Sequence, residues 1–228
     1  MKMAYTFRAV WAFGLIIFSA ANVWAMAQTS KIITLPPPRL EGGISVETAL
    51  QQRRSIREFS ESPLTITEVS QLLWSAQGIT YQGRYRTAPS AGALYPLEMF
   101  LVVGNVADLG VGVYKYLPAT HQLALMERED KRSALATAAL DQSWVRENAA
   151  LLVFAAVEKR TTVKYGLRGI GYVYIEVGHA AQNVFLQAQS LGLGAAVVGA
   201  FDDEQTRKIL NLPEDHHVLY LMPVGRPQ

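Results

Sequence analysis

The segment 171–191 constrains the fold of this chain more than any other part of the sequence. Its residues, GYVYIEVGHAAQNVFLQAQSL, are apolar or small almost all the way round a helix of that length. A helix on the surface of a domain normally shows one apolar and one polar face. We therefore predict that this long helix, which ends at Gly192 and Gly194, lies at the centre of the molecule or in the seam of a dimer.

The rest of the chain mixes short apolar runs with helical segments and shows no internal repeat. The run 149–157 (AALLVFAAV) is continuously apolar, which is typical of a strand buried on both faces. Ser45 and the capping-box pair Thr65 and Glu68 predict helix starts. Further strands are expected at 97–104, 112–117, 122–126, 195–200 and 218–224, and helices at 45–52, 68–77, 130–140 and 203–210. This mixture predicts one α+β domain with a mainly antiparallel central sheet flanked by helices.

The charge balance argues against a nucleic-acid partner. Outside Lys2 and Arg8, the chain carries 19 basic residues against 19 acidic residues, with no run of lysine or arginine. Such a surface has no net field that would attract nucleic acid. The chain also has no cysteine, which excludes disulfides, thiolate metal sites and cysteine nucleophiles. No metal site is predicted.

The first 27 residues have the form of a secretory signal peptide. A basic start up to Arg8 precedes the uncharged stretch 9–24, and Ala25 and Ala27 offer the small side chains that cleavage requires. We therefore expect a periplasmic or extracellular protein, with a proline-containing linker at 28–44 and one folded domain at 45–228. The alternative is an uncleaved N-terminal anchor, although about 16 apolar residues are few for a membrane span.

A cluster of arginines is the first candidate binding site. Arg53, Arg54, Ser55 and Arg57 lie where a predicted helix ends and a loop begins. Three guanidinium groups and a hydroxyl this close together can surround a phosphate with charge-assisted hydrogen bonds. The same residues would also suit the solvated C-terminus of a helix, where cations are favoured.

Two further stretches can carry chemistry. The loop 86–96 (RTAPSAGALYP) is rich in small residues, which let a backbone approach a flat ligand, although a plain structural loop explains it equally well. Lys164 and Tyr165 place an amine beside a phenol just before the long helix, and both groups can move protons. The alternative is an exposed pair without a function. His179, inside the long helix, is interpreted as a hydrogen-bonded packing residue.

Four stretches of the sequence, in the same order, resemble the nitroreductase family. They are RRSIREF at 53–59, RTAPSAGALYPLE at 86–98, the segment 165–195, and VGAFDD followed by LYLMPVGRP in 198–227. The resemblance covers about residues 45–227 and is nearest to the SagB/ThcOx-type branch of azoline-oxidising flavoenzymes. It implies the nitroreductase fold, with FMN held non-covalently in a homodimer whose pocket is built from both subunits.

The resemblance also implies roles for individual residues. The segment at Arg53 and an arginine near the C-terminus would grip the FMN phosphate and ribityl chain, a small-residue loop of the partner subunit would lie against the flavin, and a backbone segment would face the isoalloxazine edge. The cofactor-binding residues implied in this way are Arg53, Arg54, Ser55, Arg57, Pro89, Ser90, Ala91, Gly92, Val198, Gly199, Gly225 and Arg226. Lys164 and Tyr165 match a Leu-Lys-Tyr element credited with catalysis, with Val163 in place of the usual leucine.

Three functions fit this resemblance. The first is an FMN-dependent dehydrogenase or oxidase acting on a small organic or peptide-derived substrate. The second is an NAD(P)H-dependent nitro- or quinone reductase, which the expected export disfavours because nicotinamide cofactors are scarce outside the cytoplasm. The third is a flavin-binding protein without turnover. Export also disfavours peptide heterocycle formation, since azoline oxidases act with cyclodehydratase partners in the cytoplasm.

Overall fold

A computed structural model describes residues 31–81 and 83–228 of the chain. The predicted signal peptide, residues 1–27, and the first three residues of the predicted linker lie outside this part. Across the described residues, no helix combines the length and the apolar character needed to cross a membrane.

Within the described residues, the strands form a seven-stranded main sheet and a separate two-stranded one. They are β1 (Ile32–Thr34), β2 (Leu64–Thr65), β3 (Leu97–Val103), β4 (Val106–Ala107), β5 (Gly112–Leu117), β6 (Gln122–Glu127), β7 (Ala150–Ala156), β8 (Gly194–Ala195) and β9 (His217–Gly225). The main sheet has the order β1-β6-β5-β3-β7-β9-β8, and its pairings are antiparallel. Strands β2 and β4 pair in parallel. The prediction of an α+β fold with a mainly antiparallel sheet is confirmed.

The centre of the main sheet is β7, which is buried along its whole length. It lies between β3 and β9, so that Val153 pairs with Phe100 on one side and with Leu221 on the other. Two separate clusters of apolar side chains cover the two faces of the sheet. A strand that is covered on both faces needs no polar alternation, which is why its sequence is continuously apolar.

Six helices flank the sheet in the described part of the chain. They are α1 (Val46–Gln52), α2 (Ile66–Gln77), α3 (Arg132–Ala138), α4 (Lys159–Tyr165), α5 (Arg168–Ser190) and α6 (Asp203–Ile209). The side chain of Ser45 caps α1 by accepting from the N–H of Thr48. Thr65 and Glu68 form a complete capping box before α2, in which each side chain accepts from the backbone of the other residue. Both predicted helix starts are confirmed.

The long helix α5 turns one face to the core and leaves another open. Val173, Ala180 and Val184 are fully buried in the cluster on one side of the sheet. Tyr174 and Ile175 are 53% and 54% exposed on the opposite side, so that the helix carries an apolar surface that the described part of the chain leaves open. This arrangement explains why the sequence shows no polar stripe.

The segment 195–200 is only partly a strand, contrary to the sequence prediction. Strand β8 ends at Ala195, and Val198 then forms an isolated bridge to Leu221. The chain still runs beside β9 as far as Val198, because the Ala196 N–H donates to the Pro223 carbonyl and Val198 exchanges two hydrogen bonds with Leu221. Within the described residues, the backbone of Gly199 and Ala200 forms no such bond to β9, and the chain turns away. Gly199 is therefore exposed beside the ring of Tyr220.

Residues 32–39 pack on the domain, although the sequence predicted a linker there. Strand β1 adds to the edge of the sheet, where Ile33 pairs with Leu123. Leu35 is buried in the core, and the backbone of Arg39 exchanges hydrogen bonds with the Gln71 side chain. The apolar residues before the prolines explain this packing, because they supply an edge strand with one inward side chain.

A partly buried hydrogen-bond network holds the proline stretch in place. The Ser70 hydroxyl donates to the Pro36 carbonyl at 2.6 Å and lies 2.7 Å from Nε2 of His121. Nδ1 of the same ring lies 2.8 Å from the Tyr116 hydroxyl. Nε2 also lies 3.0 Å from the Pro36 carbonyl, which can only accept, so Nε2 carries the proton of the neutral ring and the Tyr116 hydroxyl donates to Nδ1. Burial lowers the pKa of His121, and the network therefore requires a neutral ring.

We expect the stability of the protein to fall as the pH drops below about 6.5, the ordinary pKa of histidine. Because the pKa of His121 is lowered in the folded state, the unfolded chain takes up a proton that the folded chain does not, and stability is lost on acidification. His121→Asn should lower the melting temperature at pH 8 and flatten its decline between pH 7 and 5. Asparagine tolerates the positive φ of 51° at this position. Equal slopes for both proteins in thermal melts would contradict this role of His121.

Candidate functional site

The arginine-containing segment 53–60 lies along the end of the main sheet. The Ile56 N–H donates to the Ala195 carbonyl at 2.9 Å, and the Ser60 N–H donates to the Arg226 carbonyl at 2.9 Å. Two glycines permit this close approach. A Cβ atom on Gly194 would lie 2.7 Å from Ile56, and one on Gly225 would lie 2.9 Å from Phe59. Gly225 thus has a packing role next to the predicted phosphate site.

Arg53 and Arg57 keep their guanidinium groups free of acidic partners. The guanidinium of Arg53 stacks over the Phe185 ring at 5.1 Å, and that of Arg57 stacks over the Trp144 ring at 5.5 Å. Among the described residues, neither arginine forms an ion pair, and Ser55 between them is exposed. A stacked guanidinium retains its in-plane N–H donors, so both side chains can still bind an anion.

Arg54 and Arg226 are bound to protein groups instead. Arg54 donates to the carbonyls of Gln51 and Arg53 and so satisfies the C-terminus of α1. Arg226 donates to both carboxylate oxygens of Glu68, at 3.0 and 3.1 Å, the same side chain that caps α2. The backbone of Arg226 therefore lies next to the arginine segment, while its side chain is paired with Glu68.

Val198 and Gly199 present backbone beside the middle of β9. Val198 is buried, and both its N–H and its carbonyl pair with Leu221. The N–H of Gly199 has no acceptor among the described residues, and its surroundings are open except for the Tyr220 ring. An exposed, unbonded N–H at this position is a suitable donor for the edge of a bound ring.

The loop 86–96 is fixed by its own hydrogen bonds and by its neighbours. The Ser90 hydroxyl accepts from the Tyr95 N–H at 2.9 Å, and a short 3₁₀ turn spans Ala91–Ala93. On the upstream side, the Asn183 side chain of α5 donates to the Thr87 carbonyl. Pro89 is exposed and Ala91 is half-buried, so small side chains form the outer surface of this loop.

Lys164 and Tyr165 reach this loop from the end of α4. A Cβ atom on Gly92 would lie 2.8 Å from the Tyr165 hydroxyl and 3.0 Å from Nζ of Lys164. Gly92 has a φ of 64°, in the left-handed region that glycine adopts most readily, and a side chain here would have to displace the ends of Tyr165 and Lys164. The Tyr165 ring packs edge-on against Tyr172 of α5 at 5.2 Å. The structure therefore brings the predicted catalytic pair and the predicted flavin loop together within one chain.

Glu176 is a buried acid in the same region that the sequence analysis did not single out. Its side chain is 2% exposed, and burial raises its pKa to about 7, against the opposing effects of the Ser90 hydroxyl and the Arg86 guanidinium. Burial also lowers the pKa of Arg86, which stacks on Tyr95 at 4.6 Å. His179, predicted to be a packing residue, is exposed instead.

The candidate site residues, with Glu176 added, thus fall into two groups. One group, at the end of the sheet, offers unpaired cations and an unbonded N–H. The other group, around Gly92, offers an amine, a phenol and a buried acid. Among the described residues, no hydrogen bond, ion pair or ring contact joins a member of one group directly to a member of the other.

An antiparallel sheet flanked by helices, with a long helix packed on one face, defines an α+β protein, and arginines without acidic partners among the described residues lie along the end of this sheet. The chain belongs to the nitroreductase family, whose sequence profile matches residues 50–226. It is an oxidoreductase of this family.

Individual relatives agree with the family. The chain is 48% identical over 183 residues to a protein named as a nitroreductase in Methanocaldococcus jannaschii, with 80% of this chain and 91% of the relative covered. It is 29% identical over 160 residues to the microcin B17-processing protein McbC of Escherichia coli, covering 68% of this chain and 59% of McbC. The crystal structure of a nitroreductase from Ralstonia eutropha superimposes with a TM-score of 0.77 and 30% identity, covering 88% and 91% of the two chains.

Proposed function

We propose that this protein is an FMN-dependent oxidoreductase that transfers a hydride between an organic substrate and N5 of the flavin. The observation that carries the proposal is the pair of unpaired guanidinium groups of Arg53 and Arg57 on either side of the exposed Ser55 hydroxyl. A phosphate dianion requires several fixed donors of this kind. The open N–H of Gly199 on the neighbouring segment suits the edge of the flavin ring.

The flavin and the protein side chains supply different parts of the proposed reaction. Bound FMN supplies a ring that accepts or donates a hydride, and the protein supplies position, hydrogen bonds and access. Lys164 and Tyr165, both within contact distance of Gly92, are the groups that hold or accept the proton that accompanies the hydride. Their retention supports the dehydrogenase or oxidase type of activity in the SagB/ThcOx-type branch.

We also propose that the active unit is a homodimer. The site is split into two groups that do not touch within one chain, and α5 exposes Tyr174 and Ile175 as an apolar surface. Pairing two copies through this surface would cover it and would bring the Pro89–Gly92 loop of one subunit to the arginine segment of the other. The proton-transfer pair would then act on the flavin that the partner subunit holds.

We infer that this activity lies outside the cytoplasm, because residues 1–27 have the form of a signal peptide. The similarity to McbC is compatible with a peptide-derived substrate, but the chain spans only 59% of that relative. A small organic substrate and a peptide-derived one are both within the proposed class.

An absorption spectrum tests the proposal directly. Protein purified with and without added FMN should show a flavin band that stays with it through gel filtration, at about one flavin per subunit. Organic donors should then bleach the band without air, and oxygen should restore it. Rapid bleaching by NADPH would instead favour a nitro- or quinone reductase, and a tightly bound flavin that no donor bleaches would favour a binding protein. A colourless protein that refuses FMN would refute the assignment.

A further inference from the structure

Helix α4, which carries Lys164 and Tyr165, gains little from the hydrophobic core. Of its seven residues, only Thr161 is buried. Val163 is 77% exposed, and Lys164 is exposed as well. Because hydrophobic stabilisation scales with the apolar surface removed from water, it fixes this helix weakly. Contacts between polar groups must therefore help to set the position of Lys164 and Tyr165.

Arg160, in the first turn of α4, makes such contacts. Its guanidinium donates to the Tyr95 carbonyl at 3.2 Å and forms an ion pair with the Glu98 carboxylate. Both acceptors lie where the loop 86–96 runs into β3. The side chain of Arg160 thus joins the helix to the end of the loop.

One face of α4 runs along the loop. Arg160 and Lys164 are four residues apart, so they lie on the same face of the helix, about 6 Å apart along its axis. Arg160 contacts Tyr95, and Lys164 lies against Gly92, which is three residues earlier in the loop. A shift of the helix at Arg160 therefore moves the Lys164 amine relative to Gly92.

Tyr95 is itself held in an uncommon backbone conformation. Its φ is 47°, a left-handed value that few residues other than glycine adopt. The Tyr95 N–H donates to the Ser90 hydroxyl at 2.9 Å, and the Tyr95 hydroxyl accepts from the Arg86 N–H at 3.3 Å. Arg160 holds the carbonyl. A conformation of this kind persists only when the surrounding contacts enforce it, so each of these bonds helps to set the course of the loop.

Glu98 has a second cationic partner, which makes Arg160 suitable for replacement. Nζ of Lys115 lies 2.9 Å from the other carboxylate oxygen of Glu98, whose side chain is 13% exposed. Without the Arg160 guanidinium, this half-buried acid would still be paired. Replacing Arg160 therefore removes the link between α4 and the loop without leaving an unpaired charge in the interior.

We propose that Arg160 is a positioning residue, and that its bond to the Tyr95 carbonyl holds α4 against the loop so that Lys164 and Tyr165 lie at Gly92. The placement of the helix depends on Arg160 whatever reaction the protein catalyses. The effect on turnover rests on the proposed function, in which Lys164 and Tyr165 move a proton. Arg160 acts through these two residues and not on the substrate.

Nuclear magnetic resonance tests the placement without any assay of activity. Gly92 is the one glycine of the chain that follows an alanine, so labelling with carbonyl-¹³C alanine and ¹⁵N glycine selects its amide signal. Tyr165→Phe should shift this signal in the parent protein, because the Tyr165 hydroxyl lies against Gly92. The same substitution should shift the signal much less in Arg160→Met, where the helix is no longer held to the loop. Equal shifts in the two backgrounds would overturn the proposal, and so would the absence of a shift in the parent.

Two further variants separate the link from the charge. Lys115→Met removes the other cation from Glu98 but leaves Arg160 bonded to Tyr95, so Tyr165→Phe should shift the Gly92 signal as it does in the parent. If Lys115→Met behaves like Arg160→Met, the charge balance at Glu98 controls the loop and the proposal fails. Arg160→Gln, which is neutral and shorter than arginine, should reproduce Arg160→Met and decides the matter if that variant fails to fold.

Kinetics then show whether turnover depends on this placement. Arg160→Met should lower kcat about 10- to 100-fold, because a misplacement of about 1 Å can cost as much as 100-fold. The flavin content and KM for the donor should stay as in the parent protein. An unchanged kcat, or a rise in KM alone, would refute the link to turnover. If the parent turns over no donor at all, the proposed function fails, and the resonance measurements still decide the role of Arg160.

Discussion

Replacing Lys164 by alanine is expected to lower kcat about 100- to 10,000-fold, the range typical of losing a positioned acid or base. The content of bound FMN should stay the same, because Lys164 contacts the Gly92 loop and not the arginine segment of its own chain. The measurement is single-turnover bleaching of the flavin by an organic donor, which isolates the chemical step from substrate binding and product release.

Tyr165→Phe should also lower kcat, since it removes the hydroxyl at Gly92 and keeps the ring that packs on Tyr172. The matched control is Lys159→Ala at the exposed first residue of the same helix, which should behave as the parent protein does. If Lys164→Ala reduced the flavin as fast as the parent protein, the catalytic assignment of this pair would be refuted. A pH profile that lost one limb in Tyr165→Phe alone would assign the proton to the phenol.

Much of the fold could be predicted because its signals are local. The capping box of Thr65 and Glu68 lies within four residues, and the predicted start of α2 is correct to within two residues. The apolar run of β7 and the length of α5 are also properties of one continuous stretch. In such cases neighbouring residues alone decide the conformation, and the sequence contains them all.

The sequence-based predictions were wrong where contacts with residues far along the chain determine the local structure. Strand β1 forms because β6 offers an open edge about 90 residues away, and no pattern within 28–44 contains that information. The hydrogen-bond network around His121, which the sequence analysis did not predict, also joins residues far apart in the chain: Ser70, Tyr116 and Pro36. Between Ala195 and Val198, the chain has strand-forming residues but keeps only intermittent hydrogen bonds to β9.

In the candidate site, too, features set by neighbouring residues could be predicted, and contacts between distant residues could not. Arg53, Ser55 and Arg57 are close in sequence, so their cluster could be seen before the fold was known. Lys164 and Gly92 are far apart in the sequence, so their contact could be found only in the structure. The sequence does mark Glu176 as unusual. Helical periodicity places it on the same face as Val173 and Ala180, where an acid is rarely found.

The double variant Arg53→Ala/Arg57→Ala is expected to weaken FMN binding about 100- to 10,000-fold. A hydrogen bond to a charged group contributes about 1.5–3 kcal/mol, and each arginine donates to the phosphate in the proposed complex. Neither side chain has an acidic partner among the described residues, so their removal leaves no carboxylate unpaired and should change the stability of the fold little. Equilibrium titration of the apoprotein by flavin fluorescence measures the change.

The pattern of loss identifies the phosphate as the group that these arginines bind. Riboflavin lacks the phosphate, so its weaker binding should be nearly the same in the parent and in the double variant, while FMN binding falls. Arg84→Ala is the matched control, because Arg84 is also an exposed arginine stacked on an aromatic ring, at 5.1 Å from Tyr85, but lies outside the segment. Equal FMN affinity in the parent and the double variant would refute the phosphate site. An equal loss for FMN and riboflavin would show that the arginines act on the ring or on the fold, and the ionic contribution would then have to come from another part of the chain.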